Sequence, residues 1–233
     1  GTGTDTITLN TTGSTGNATL DNGTTVVVLG TSAASLVTSV GGDLTLTSGA
    51  AAGITDSATV TVGGNLAATT DANSGVINLG DLEVNGTIAL TTDTGGAATV
   101  VNDAGINFAS STVRGVLTAT ATAGDIIDTG VLTITGASTF TVANGANITL
   151  GSDNTFSSTV TFAASAGTIA SVTINDSDAF DIKPLTTTGG LTVTAGGNIT
   201  DSGTVSVGGA LAVTTDASSG SIDLGDLQVN GTI

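Results

Sequence analysis

The chain has 233 residues, 39% of them hydrophobic, and its 19 acids against 2 bases give a formal net charge of −17. Cys, His, Met, Trp and Tyr are absent, which removes thiolate metal sites, imidazole acid–base catalysis and disulfides. Arg114 and Lys183 are the only bases, too few for a phosphate-binding footprint, so nucleic acid is excluded as a partner and an anionic membrane repels the chain.

A mean hydropathy of +0.42 with 9% charged residues describes a chain that buries surface, not a highly charged disordered tail. No apolar run approaches the roughly 20 residues that span a bilayer, and Gly1 opens without a charged leader. One proline and evenly scattered glycine mark no linker, so a single continuous domain is expected. The missing initiator Met and a final phrase that stops partway suggest a segment of a longer chain.

Apolar runs at Ile7–Leu9, Ala18–Leu20, Thr25–Leu29 and Leu36–Val40 have strand character but no regular unit, so residues 1–43 are expected to form irregular first coils. Regular coils are expected over 44–233. There the landmarks Leu44, Leu66, Ile88, Leu117, Phe140, Ile169, Leu191, Leu211 and Ile233 each follow a small turn element, and their spacing predicts coils of about 22–29 residues. Within each unit large apolar residues alternate with Thr, as in Leu44–Thr47, Val60–Val62, Leu132–Thr135, Ile148–Leu150 and Leu191–Thr194. A period of two means short strands with one face buried. Gly, Asn, Asp and Ser between them supply the turns.

The segment 54–88 matches 199–233 at 27 of 35 positions, an offset of 145 residues, and a weaker copy of its opening lies at Ile126–Gly136. Asp56, Asp128 and Asp201 therefore recur at steps of 72 and 73. A unit this short cannot bury its own apolar face, but stacked units share one core. The pattern predicts an all-β chain, a parallel β-helix. Leu44, Leu46, Val60, Val62, Leu66, Ile88, Leu90, Phe140, Val142, Leu191, Val193, Leu211 and Val213 should face inward, and Thr45, Thr61 and Thr192 outward. Counting landmarks puts Leu66 and Leu211 six coils apart.

The recurring GG-x-L-x-x-T phrase at Gly41, Gly63 and Gly208, the run Ala146–Phe162 and the run Gly196–Leu211 resemble the repeat region of filamentous-haemagglutinin-like large adhesins. Those proteins leave Gram-negative bacteria by two-partner or autotransporter routes. The resemblance implies a right-handed β-helix, a secreted or cell-surface location in a bacterium, and a stalk that holds a binding activity, with a host or surface glycan as the partner class.

Carboxylates are the one abundant chemical resource. The pairs Asp81/Glu83 and Asp223/Asp226 suggest the chemistry of a carbohydrate-active β-helix enzyme, yet the duplication exchanges Glu83 for Gln228 and Asn78 for Asp223. Paired catalytic acids would not drift so, and the expectation is no enzyme. Asp176, Asp178 and Asp181 place three hard oxygen donors in six residues, a Ca²⁺ candidate set against the plainer reading of a solvated acidic turn. No other cofactor is expected. Thr-x-Thr pairs such as Thr118/Thr120 and Thr139/Thr141 are what an ice- or surface-binding β-solenoid uses, but Leu66, Ile88 and Leu211 open strands that lack them. Asn-x-Ser/Thr sequons at Asn10, Asn17, Asn22, Asn85, Asn147, Asn175, Asn198 and Asn230 carry no further signal in so Asn- and Thr-rich a chain. The resulting expectation is a non-enzymatic structural segment of a filament or adhesin stalk, with end-to-end self-association or contact between neighbouring repeats.

Overall fold

The computed structural model describes residues 7–11, 13–30, 38–216 and 219–233, and among them there is no helix. The strands stack in parallel, coil upon coil, as a β-solenoid. The first coil is β1 (Ala18–Asp21), β2 (Val27–Leu29) and β3 (Thr38–Val40), and the second is β4 (Leu44–Ser48), β5 (Ile54–Asp56) and β6 (Val60–Val62). The third is β7 (Leu66–Thr70) and β8 (Ile77–Val84), and the fourth β9 (Thr87–Thr92) and β10 (Ala98–Asn102). Then follow β11 (Ile106–Phe108), β12 (Ser111–Val113) and β13 (Leu117–Ala121), and after them β14 (Ile126–Asp128), β15 (Leu132–Ile134) and β16 (Ser138–Val142). The seventh coil is β17 (Ile148–Phe156) and β18 (Val160–Ala164); the eighth is β19 (Val172–Asp176), β20 (Phe180–Ile182) and β21 (Leu185–Thr187). The last two are β22 (Leu191–Ala195), β23 (Ile199–Asp201) and β24 (Val205–Val207), then β25 (Leu211–Thr215), β26 (Ile222–Asp223) and β27 (Leu227–Val229).

Each coil has two sides, and each side takes one of two shapes. A straight side is one strand of four to six residues; a bent side is two short strands with a corner, or one long strand such as β8 or β17 whose outward residues run consecutively at the bend. Through β8 the straight strands form the start of a twelve-stranded sheet and the bent ones a nine-stranded sheet. The shapes then exchange: β11/β12, β14/β15 and β17 bend on the twelve-stranded sheet, while β10, β13, β16 and β18 run straight on the other. From β19 the first arrangement returns. The cause is the repeat length. Asp56, Asp128 and Asp201 end β5, β14 and β23, equivalent strands that lie on alternating sides, because 72 or 73 residues fill three and a half coils.

This exchange corrects the expected coil length. From residue 44 onward, paired strands of neighbouring coils are offset by 19 residues, as in Ala98 on Leu117, to 24, as in Ile148 on Val172. Of the two apparent 29-residue units, Ile88 to Leu117 steps from one sheet to the other, and Phe140 to Ile169 runs past the true partner Phe162 to a residue outside the strands that bridges only Thr187. Leu66 and Leu211 are therefore seven coils apart, through Ile88 and the strands β11, β14, β17, β19 and β22, or about 34 Å at 4.8 Å per coil.

The core follows the alternation. Every residue expected inside is buried except Val213, which is half-buried against the same core, and Thr45 and Thr192 are exposed. Leu36, from the last of the early apolar runs, lies outside the described residues. The phenylalanines concentrate in the middle: the Phe140 ring lies 6.3 Å from Phe108, 6.0 Å from Phe156 and 6.2 Å from Phe162, the first two edge-on. Parallel coils bring like residues into register, so one ring fixes the packing of three levels. Truncating Phe140 to Ala should cost about 3–5 kcal/mol in urea unfolding, and the same change at half-buried Phe162 clearly less.

Candidate functional site

The carboxylates split into three settings. In the first, a corner aspartate clamps the next coil. The Asp56 oxygens accept the N–H groups of Gly80 (3.0 Å) and Asp81 (2.8 Å), and those of Asp201 accept Gly225 (2.7 Å) and Asp226 (3.0 Å). Asp128 accepts Gly151 N–H at 2.9 Å and the Asn154 amide at 2.7 Å. The bend leaves two consecutive backbone donors without a ladder partner, and a carboxylate one coil away takes both. These donors hold the Asp201 carboxyl below its ordinary value of 3.8. The 72- and 73-residue recurrence was visible in the sequence; the clamp was not, since donors and acceptor lie 23 to 26 residues apart.

The second setting holds both suspected catalytic pairs. Asp81 and Glu83 are exposed on the outside of β8 and receive the Thr59 and Thr61 hydroxyls at 2.8 and 3.0 Å. Asp226 receives Thr204 at 2.6 Å, and Asp223 is exposed on β26. These side chains decorate a convex corner and line none of the cavities described below. The threonines form long outward ranks, Thr47, Thr69, Thr91, Thr112, Thr133 and Thr155 being aligned on successive coils. The rank beside it reads Thr45, Ala67, Ala89, so the paired array is lost after one coil.

The third setting is the Asp176–Asp181 segment, which the structure divides. Asp176 ends β19 pointing inward and is 1% exposed; Asp178 is exposed on the turn; Asp181 points outward from β20 and is bridged by Lys183 Nζ at 2.6 Å. Among the described residues no three carboxylates come together as a metal-holding group. Asp176 Oδ1 accepts Phe156 N–H at 3.1 Å and Asp178 N–H at 3.3 Å, whereas Oδ2 is buried without a partner. Burial raises this carboxyl from 3.8 to about 6 against the pull of those two N–H groups. Beside it, Phe156–Val160 and the Asp176–Lys183 segment line a cavity of about 290 Å³.

That cavity lies on a seam. The nine-stranded sheet ends at β18, and no ladder joins β18 to β20 or β21, which begin two separate three-stranded sheets. A straight strand also meets a bent pair at β9, and there the ladder holds: Ser111 Oγ accepts Leu90 N–H at 3.0 Å, and Thr92 Oγ1 accepts Arg114 N–H at 2.9 Å. In β20/β21 the positions matching Ser110 and Ser111 are Pro184, which has no N–H, and Leu185, which has no side-chain acceptor. The twelve-stranded sheet alone runs unbroken across this level.

Asp128→Ala leaves the Gly151 and Ser152 N–H groups unanswered and the Asn154 amide with Leu150 O alone, and its cost should be about 1–3 kcal/mol in denaturant unfolding. The Asp201 clamp has the opposite pH sense from Asp176: it contributes above about 3.8 and weakens as acid carries the pH through its lowered folded value. A carbon-detected NMR titration should place the Asp201 midpoint below 3.8.

No curated protein and no solved structure matches the chain. A family model described as Repeats of unknown function (DUF5649) matches residues 95–163 and again 169–233, more than half of the chain. The first match ends within β18 and the second begins just before β19, so the seam falls at their junction; the first holds three and a half coils, β10 to β18, and the second three, β19 to β27. The chain belongs to the DUF5649 repeat family.

Proposed function

We propose that this chain is a non-enzymatic structural segment of an extracellular filament or adhesin stalk, a stiff spacer at the bacterial cell surface. One observation carries the reading: the twelve-stranded sheet, whose ten main strands pair in parallel, one on the next, through every coil from β1 to β25. Such a ladder turns chain length into axial length, about 43 Å for nine steps, and resists bending because each strand is hydrogen-bonded above and below. The Asp clamps add side-chain bonds between coils, and a net charge of −17 keeps neighbouring rods apart.

The adhesin-like phrases noted in the sequence support the surface location. The partner that the geometry fits best is another coil of the same kind. At the far end Leu211, Leu224, Leu227 and Ile233 line a cavity of about 410 Å³. Leu211 N–H already bonds Thr232 O at 2.8 Å, as Leu191 N–H bonds Ala210 O at 2.9 Å one coil earlier.

Antibodies raised against residues 44–216 should label intact producing cells, with electron micrographs showing the label standing off from the envelope. Labelling that requires lysis would overturn the proposal. For purified residues 1–233, the sedimentation coefficient should rise with concentration as rods join end to end.

A further inference from the structure

Asp176 has a structural twin. Where bent β8 is followed by straight β10, the register slips by one residue between Val100 and Asn102 and pairs Leu82 with Asn102; where bent β17 is followed by straight β19, it slips at the corresponding place, by two residues, and pairs Asn154 with Asp176. The surrounding bonds correspond. Val84 N–H donates to Asn102 Oδ1 at 2.8 Å, and Phe156 N–H to Asp176 Oδ1 at 3.1 Å. Asp103 N–H donates to Leu82 O at 2.8 Å, and Ser177 N–H to Asn154 O at 2.7 Å. The twins differ in one atom. Asn102 Nδ2 donates to Val84 O at 3.1 Å and to Gly105 O at 2.8 Å, whereas Asp176 has in its place Oδ2, buried and unpartnered.

A donor therefore belongs where Asp176 offers an acceptor. The charges of Asp178 on its own turn and Asp153 on β17 make an anion there worse; the other acids on the packed elements are Asp128, one coil further on and bonded to Asn154, and Asp181 beside the cavity. The only nearby base, Lys183, is held by Asp181 at 2.6 Å and Ser202 at 3.0 Å. The position also matters mechanically, because the opposite ladder is broken at this level and the Asp176 carboxyl closes the far end of the β17–β19 ladder, beside that break.

We infer that Asp176 is a proton-operated latch at the joint between the two repeats: protonated, it donates to the Phe156 carbonyl and closes the corner as Asn102 does; ionised, it loosens the joint. The proton comes from solvent through the adjoining cavity, and no other group changes state. Its raised carboxyl, about 6 against 3.8, sets the window. The folded chain holds this proton more tightly than the unfolded one, so the stabilisation is complete below about 4, fades between about 4 and 6, and is absent above.

The test uses the full chain, with Asp176→Asn as a permanently closed latch and Asn102→Asp as a second latch installed at the earlier joint. Carbon-detected NMR should give Asp176 a midpoint near 6. Between pH 4 and pH 7.5 the unfolding constant of the native chain should rise about 60-fold relative to Asp176→Asn, and hydrogen exchange at Phe156 and Ser177 should quicken beyond its intrinsic pH dependence. Asn102→Asp should acquire the same behaviour at Val84 and Asp103. A midpoint near 4, parallel pH profiles for the native chain and Asp176→Asn, or a less stable Asp176→Asn at pH 7.5 would each overturn the latch. So would a Ca²⁺-dependent gain at pH 7.5 that Asp176→Asn abolishes, since a cation would then occupy the position assigned to the proton.

Discussion

In a parallel solenoid the backbone groups of each coil find their partners only in the coils above and below. Every residue is therefore judged against the residue about one coil away, and its immediate sequence neighbours matter less. Where two successive coils have the same shape, that comparison is easy: Leu44 on Leu66 and Thr47 on Thr69 continue the ladder and the core together. Where the shapes differ, one or two backbone donors fall out of register. Small polar side chains then answer them, and Ser111, Asn102, Asn154 and Asp176 all occupy inward positions at such levels. These four buried polar residues are thus consequences of the same rule that builds the apolar core.

The corner aspartates obey it too. Asp56, Asp128 and Asp201 each answer consecutive N–H groups that the bend of the following coil exposes. A carboxylate suits this place because two acceptor oxygens face two donors, and because exposure to water removes the penalty of burying its charge. Buried Asp176 shows the contrary case. With one oxygen answered and the other not, its anionic form is disfavoured, and acid has opposite effects on two carboxyls that both serve the backbone.

Much of this was legible in the sequence. Alternation in Leu44–Thr47 or Leu191–Thr194 identified strands and their inward face, and the copies at 54–88 and 199–233 identified stacking. The exchange of sides was not legible, because Leu117 and Phe140 stand in the same local phrase as Leu66 and Ile88 while belonging to the other sheet, and local periodicity carries no label for the side of a coil. Asp176 was misread for a related reason. In an acidic run ending at Asp181 it looks like part of a solvated turn; only continuing the alternation from Val172 and Ile174 turns it inward. That signal was present, and so was its counterpart in Ala98, Val100 and Asn102.

The half-integral repeat has a consequence for any longer array of these units. Advancing by three and a half coils while exchanging sides is the operation of an approximate twofold screw axis along the rod, with a translation of about 17 Å per unit and about 34 Å for identity. An array built on it has no permanent front and back: each outward feature of one unit reappears on the opposite side in the next. Bending tendencies that favour one side in one unit are cancelled by the next, so curvature averages out with length, and an even number of units returns the chain to the side on which it began.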